Sequence, residues 1–242
     1  KKNMKTKDTY LVLGSTGFIG TNLVNHLLAQ KIPVVSFARS SSPFPKQVNH
    51  IAGDFQNKAL YKKLLLTKPT VIVCLIGISG QLYTDMHMDE SFVVNVQSYV
   101  HFLNAVIRYA PNAKVIFLSS RLEYGKPQYL PVNEDHMRKP LSTYGMHKML
   151  VSDYLQFLYR KCGLQTVVLC TSNPYGPHPE QKKSHYNVIN YFIDQSIKGR
   201  DIVVYGRGNQ QRDYVYIGDY IDAIERVAKT KKTDVKEYNI VG

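Results

Sequence analysis

Tyr144 and Lys148 stand four residues apart in Y-G-M-H-K, and no other tyrosine in the chain has a lysine at that spacing. On a helix the spacing stacks both side chains on one face. A phenol at its ordinary pKa near ~10 is a poor base at neutral pH. An ammonium beside it favours the phenolate and draws that pKa toward the working range. Such a pair can take the proton from a substrate hydroxyl. With 18 tyrosines in 242 residues the spacing alone carries little. Its weight comes from its place about 24 residues beyond Ser120, a serine that closes an apolar run and could orient the substrate hydroxyl.

A second chemical element lies at Tyr10–Gly20, Y-L-V-L-G-S-T-G-F-I-G. A buried strand over Tyr10–Leu13 runs into a glycine turn, and a helix opens at about Gly20 and continues through Gln30 with Leu23, Val24, Leu27 and Leu28 on its apolar side. Gly14, Gly17 and Gly20 let the backbone turn tightly, approach an anion and pack helix on strand. The helix N-terminus offers amides and a positive dipole end to a pyrophosphate. Strand, turn and helix together are the context of a dinucleotide site. The positive nicotinamide ring of such a cofactor would join Lys148 in favouring the phenolate of Tyr144.

The strands that must position these groups follow one another with helices between. Pro33–Ala38, His50–Gly53, Thr70–Ile76, Lys114–Leu118 and Leu164–Leu169 read as strands, and Ala59–Leu66, Ser91–Tyr109 and Thr143–Lys161 as helices. The continuous apolar run at Thr70–Ile76 is that of a strand buried on both faces of a parallel sheet. This alternation predicts right-handed βαβ units and an α/β, doubly wound parallel sheet. Beyond Asn173 come a Pro/Gly/His-rich loop, a helix near Val188–Lys198, a strand at Ile202–Tyr205 and a helix at Asp219–Lys229.

Ligands of an open parallel sheet bind beyond the C-terminal ends of its strands. Asp54, after the third strand, could accept a hydrogen bond from an adenine amino group; Gly77 follows the fourth strand, and Ser119 and Ser120 the fifth. After the second strand stands F-A-R-S-S-S, with no carboxylate between Val34 and Gln47. An acid there would bind the ribose diol of NAD, whereas Arg39 accommodates the 2′-phosphate of NADP. NADP is favoured, with NAD the alternative.

The formal net charge is +13, with lysines gathered at Lys1–Lys7, Lys58–Lys68, Lys182–Lys183 and Lys229–Lys236. They form no aromatic-interleaved groove or helix-turn-helix, so a basic surface that attracts phosphate-bearing ligands is expected and nucleic acid is not. Cys74, Cys162 and Cys170 lack CxxC spacing, which excludes a disulfide framework and a zinc site and suits the cytoplasm. No apolar run of about 18 residues spans a membrane, and the basic N-terminus lacks the apolar segment of a secretory signal. No metal is expected.

These residues together resemble the extended short-chain dehydrogenase/reductases, specifically the nucleotide-sugar epimerase/dehydratase group. G-S-T-G-F-I-G matches the family's GxxGxxG and implies cofactor contacts from Gly14, Thr16, Gly17, Phe18, Ile19 and Gly20. G-D-F matches its adenine-side Gly-Asp, with Asp54 and Phe55, and V-V-N-V its helix asparagine, Asn95. S-S-R-L-E-Y-G puts Ser120 at the catalytic Ser/Thr, beside the Tyr144/Lys148 pair, and the resemblance implies that Tyr144 and Lys148 also contact the cofactor, Lys148 at the nicotinamide ribose. S-N-P-Y-G-P places Asn173 near the substrate phosphates, and G-R-G-N-Q-Q-R-D-Y-V-Y-I-G-D resembles the segment whose arginine, here Arg212, grips the substrate diphosphate. A planar guanidinium forking onto phosphate oxygens is the reason for arginine there.

The resemblance implies a Rossmann-type cofactor domain over residues 1–172 and a small substrate-binding portion over 173–242, interleaved with the last strands of the sheet. E-Y-N-I-V-G resembles the strand leading into the family's C-terminal lobe, which in most members continues further. Three positions depart from the pattern: Cys170 stands where the family has arginine, Cys74 where it has histidine, and Ile76 where it has a small residue. Dehydratases carry Asp-Glu after the catalytic Ser/Thr; here Arg121 and Leu122 follow Ser120, leaving a 4,6-elimination without its acid and base. The implied activity is hydride transfer at C4 of a nucleotide-diphosphate sugar, as an epimerase or as an NADPH-dependent reductase of a 4-keto sugar. A dehydratase or a non-catalytic dinucleotide-binding module is disfavoured. Apolar residues on more than one face of the two long helices (Phe92, Val96, Tyr99, Val100, Leu103, Leu150, Tyr154, Phe157) and the family habit imply a homodimer.

Overall fold

The structure, a computed structural model, describes residues 8–46, 48–177, 188–230 and 236–242. The basic runs Lys1–Lys7 and Lys182–Lys183, with most of the loop expected after Asn173, lie outside the described residues. Seven parallel strands form the main sheet: β1 (Tyr10–Leu13), β2 (Val34–Ala38), β3 (Asn49–Ala52), β4 (Val71–Cys74), β5 (Lys114–Ser120), β6 (Thr166–Thr171) and β9 (Lys236–Ile240). Their order across the sheet is β3-β2-β1-β4-β5-β6-β9.

Side chains alternate along each strand, and both faces are covered. Leu11, Leu13, Val115 and Phe117 join a core with α2 (Ala59–Leu65), α5 (Ser98–Tyr109) and α6 (Thr143–Cys162). Tyr10, Val12, Ile116 and Leu118 point the other way, against α1 (Phe18–Ala29) and α8 (Ile217–Lys229). Buried Lys114 reaches the end of α8, where its Nζ donates to the carbonyls of Val227 (2.7 Å), Ala228 (3.1 Å) and Thr230. It thereby satisfies C-terminal carbonyls that a helix leaves without partners. Strand order reverses between β1 and β4, the switch point where such sheets bind ligands.

Several expectations are corrected. Ile202–Tyr205 is not a strand: all four side chains are exposed, and the run pairs with no strand among the described residues. Without a ladder, an apolar run alone does not hold an extended chain. The helix expected over Ser91–Tyr109 is three pieces, α4 (Met88–Phe92), a π-helical turn (Val93–Gln97) and α5, preceded by a short α3 (Gln81–Met86). A second sheet, a parallel pair of β7 (Asn173–Tyr175) and β8 (Tyr214–Tyr216), has no counterpart in the sequence pattern. Ser119 and Ser120 are the last residues of β5 itself. The remaining helix, α7, covers Val188–Ile197.

Candidate active site

The glycine turn closes β1 against α1, which begins two residues earlier than expected, at Phe18. Gly14 has φ +85°, and a Cβ there would lie 3.1 Å from the Leu75 carbonyl carbon. At Gly20 a Cβ would stand 2.2 Å from the Gly14 carbonyl oxygen. Gly17, the N-cap of α1, offers no side-chain cap, and the first turn holds no acid to compete with an anion. Ser15 is fully buried in this turn, with its Oγ unpartnered among the described residues. Ser40 Oγ donates to Thr16 Oγ1 (3.1 Å) and ties the turn to the end of β2, where Arg39 is exposed. A cradle that only glycine backbone fits, with an orphaned hydroxyl inside it, suits the pyrophosphate of a dinucleotide.

The other cofactor-side residues divide. Phe18 is buried in the core and Ile19 packs against it, so their backbone faces the turn. Phe55 sits among aromatic rings, 5.1 Å from Tyr99 and 5.4 Å from Phe102, leaving only its backbone for an adenine. Asp54 is exposed and accepts from the Gln56 amide (2.8 Å). Asn95, in the π-helical turn, is a brace: its Oδ1 accepts from the Ile78 amide (2.7 Å) and its Nδ2 donates to the Ile78 carbonyl (2.9 Å). It holds the strand-end loop at Gly77, whose Cβ, if present, would come within 3.2 Å of Asn95 Oδ1.

Gly20→Ala tests this cradle. The added methyl meets backbone that no rotamer change relieves, so the turn must open. Affinity for NAD or NADP is expected to fall by roughly 2 kcal/mol or more, measured by calorimetric titration beside a melting curve.

The catalytic candidates meet where α6 starts. Ser120 closes β5 and caps a 3₁₀ turn at Arg121–Glu123, its Oγ accepting from the Leu122 amide (3.3 Å). Ser142 caps α6 by accepting from the Gly145 amide (3.1 Å), and Asp85 of α3 accepts from the Thr143 amide (2.8 Å). A Cβ on Gly145 would stand 2.4 Å from the Leu122 carbonyl oxygen, so only glycine lets α6 press onto the turn that follows Ser120. This approach brings the half-buried Tyr144 to the end of β5.

Lys148 is 7% exposed. Its Nζ donates to the Leu118 carbonyl (2.6 Å), 4.5 Å from the Phe117 ring centre and 5.7 Å from that of Tyr144. Burial lowers Lys148 to about 8, opposed by the negative charge of Glu123. Tyr144 is pushed up to about 12, first by burial and then by Glu123. Lys148 by itself therefore does not draw the phenol toward neutrality, which leaves the positive nicotinamide ring as the other contribution expected. The ammonium is engaged with a carbonyl, and desolvation of the phenolate outweighs it.

Glu123 lies inside the S-S-R-L-E-Y-G segment, with no role assigned to it from sequence, and it is 1% exposed. Ser119 Oγ donates to its Oε1, as does Ser152 Oγ (2.8 Å), and Arg138 Nη1 donates to Oε2 (3.1 Å). The same guanidinium pairs with Asp153 and with Glu237 (3.3 Å). Ser119 lies beside Cys170 across the sheet, and the thiol feels the charges of both Glu123 and Arg138. A guanidinium thus reaches the neighbourhood of position 170 from the β5–α6 loop.

The small sheet gathers the substrate-side candidates. Asn173 pairs with Tyr214, and its backbone amide (3.3 Å) and Nδ2 (2.8 Å) both donate to the Asp213 carbonyl. Arg212 is next in line, exposed, with Nη1 donating to the carbonyl of its neighbour Gln211 (2.9 Å). Ser120 pairs with Thr171 across β5 and β6, so Asn173 lies two residues beyond the neighbour of Ser120. His26, Asp222 and Glu225 gather between α1 and α8, where Lys229 Nζ supplies the cation to Glu225 (2.5 Å).

Residues 10–241 match the model of the NAD dependent epimerase/dehydratase family. The chain belongs to that family. It is 30% identical to the UDP-glucose 4-epimerase of Mycolicibacterium smegmatis over 229 residues, covering 89% of this chain and 72% of that one. With the dTDP-4-dehydro-6-deoxyglucose reductase of Escherichia coli it shares 26% over 228 residues, 90% of this chain and 71% of the relative. The structure of the UDP-glucose 4-epimerase of Thermus thermophilus in complex with NAD superposes with a TM-score of 0.85 at 25% identity, covering 96% of this chain and 77% of that one. The expected family and the Rossmann-type parallel sheet are both borne out. No helix of the described residues is long and apolar enough to cross a membrane.

Proposed function

We propose that this family member is a nicotinamide-dependent enzyme acting at C4 of a nucleotide-diphosphate sugar, most simply a 4-epimerase of a UDP-sugar. The observation that carries the reading is the meeting of Ser120, Tyr144 and Lys148 at the end of β5, on the chain beyond a glycine cradle built for pyrophosphate. The family and its epimerase and reductase relatives support a sugar-nucleotide substrate.

In this mechanism Gly14–Gly20 and Asp54 hold the cofactor, and Asn95 keeps the loop at Gly77 in place. The chemistry that a bound nicotinamide would supply there is reversible hydride acceptance and a positive charge. Ser120 orients the C4 hydroxyl, Tyr144 takes and returns its proton, and Lys148 supplies a fixed cation beneath the phenol. Asn173 and Arg212 hold the diphosphate. The one carboxyl in the turn after Ser120, Glu123, is buried and already bonded to two serines and an arginine, while Arg121 is exposed. This counts against elimination, which needs a carboxyl facing the sugar.

Reduction of a 4-keto sugar is the second reading, favoured by exposed Arg39 in a loop free of carboxylates. An epimerase keeps its cofactor and a reductase exchanges it, so cofactor retained through purification points to the first. A panel of UDP-, GDP-, CDP- and dTDP-sugars with NAD and NADP, followed by absorbance and product stereochemistry, tests both. Replacing Ala38 with Asp together with Arg39→Leu is expected to shift preference toward NAD, because a carboxylate repels a 2′-phosphate and binds the ribose diol. Tenfold tighter binding of NAD than of NADP by the unmodified chain would remove Arg39 from cofactor selection.

The division into a cofactor portion (1–172) and a substrate portion (173–242) belongs to the same reading, as does a homodimer. Of the apolar residues expected at the dimer contact, Val96, Tyr99 and Leu103 are in the core, which leaves Phe92, Leu150 and Phe157 exposed for it.

A further inference from the structure

Behind the Tyr144–Lys148 pair lies a cluster that the proton transfer does not use. Ser152 follows Lys148 by four residues and Tyr144 by eight, so all three share one face of α6. Ser152 donates to Glu123, and so do Ser119 from β5 and Arg138 from the loop. All three can donate to the carboxylate and favour its charge, but burial outweighs them and pushes Glu123 up to about 7, so its charge is present above that pH and lost below it. Around it the charges do not balance. One guanidinium, that of Arg138, serves Glu123, Asp153 of α6 and Glu237 of β9, with Gln156 also donating to Glu237 (2.9 Å). The surplus is negative, and the cation that faces it from α6 is Lys148.

Ser119, beside the Leu118 carbonyl that holds the Lys148 ammonium, and Ser152, one turn beyond Lys148, both end on this carboxyl. We propose, on the functional reading above, that Glu123 is a positioning residue for the Tyr144–Lys148 pair: a buried carboxyl whose charge, favoured by Arg138, Ser119 and Ser152 against burial, keeps Lys148 protonated. Left alone, an ammonium this buried sheds its proton. The charge of Glu123 opposes that loss at Lys148 and resists ionisation of Tyr144 until a positive ligand arrives. The thiols of Cys74 on β4, which faces Lys148, and of Cys170 on β6, which faces Glu123 and Lys148, are both held neutral, well above their usual range, by burial.

The test removes the charge and keeps the shape. In Glu123→Gln, the Tyr144 titration, read by ¹⁹F NMR of 3-fluorotyrosine protein and assigned with Tyr144→Phe, is expected to move down by about one pH unit or more. The alkaline loss of cofactor affinity, set by deprotonation of Lys148, moves down with it. Glu123→Asp, which keeps the charge, returns both midpoints. Ser152→Ala leaves the fold with a smaller perturbation; it raises the Glu123 midpoint toward that of Lys148 and should lower the Lys148-dependent midpoint by less, with the Tyr144 midpoint, far above both, unmoved. Unchanged midpoints in Glu123→Gln, whatever the loss of activity, would make the cluster structural only and overturn the proposal. The tyrosine titration needs no ligand, so it decides the role of Glu123 by itself. Failure of the unmodified chain to bind NAD or NADP would instead overturn the functional reading.

Discussion

Replacing Tyr144 with phenylalanine is expected to lower turnover by 10² or more while cofactor affinity stays near that of the unmodified chain. The ring keeps its place beside the turn after Ser120, and only the titrating oxygen is lost. Lys148→Met should fail differently, because Nζ, which donates to the Leu118 carbonyl at 2.6 Å, is on the proposed function also the cation that contacts the cofactor. Cofactor affinity and turnover should both fall. The pH dependence follows from the two shifts. Lys148 is lowered to about 8, so its cation is present below that pH and lost above it. Tyr144 is raised to about 12, so high pH recovers its phenolate in Lys148→Met only near that extreme unless a bound cofactor contributes charge. The unmodified enzyme should therefore show an alkaline fall in kcat/KM that Lys148→Met lacks. Near-normal turnover of Tyr144→Phe on the true substrate would rule out tyrosine as the base.

Legibility in the sequence follows the range of the interactions. The glycine turn, β1 and the start of α6 are fixed by neighbours within a few residues, and their expected bounds agree with the structure to within two positions. The parallel sheet is legible because its central strands, such as β1 and β4, are buried on both faces and so appear as apolar runs. Ile202–Tyr205 misleads for the same reason, since apolar content does not by itself supply a partner strand. The β7–β8 pair is three residues on each side, joined across the 40 positions between Asn173 and Asp213, and carries no period. The π-helical turn is invisible too. It tilts Asn95 onto the Ile78 backbone, a contact 17 residues away, inside a segment whose apolar spacing reads as plain helix. Glu123 and Arg138 are separated by 15 residues of irregular chain, and their pairing with Asp153 and Glu237 exists only once α6 and β9 are in place. A glutamate inside L-E-Y, following a strand that is otherwise apolar, is the one available signal.

Arg212→Ala is expected to raise the KM of the sugar nucleotide by roughly 30- to 150-fold, the equivalent of about 2–3 kcal/mol for a lost charge-assisted, bidentate contact to phosphate. The structure makes this a clean substitution. Arg212 is exposed, and its guanidinium donates to the carbonyl of the preceding residue, so its truncation should leave the melting temperature where it was. The position is held from the other side: Asn173 fixes the Asp213 carbonyl with both its amides, which keeps the arginine's backbone beside the end of β6. Arg212→Lys keeps the charge and loses the planar fork, so it should recover only part of the affinity. The cofactor's KM should not move, because Arg212 is no part of the glycine turn between β1 and α1 that is proposed to hold it. An equal rise for substrate and cofactor would take Arg212 out of the substrate site.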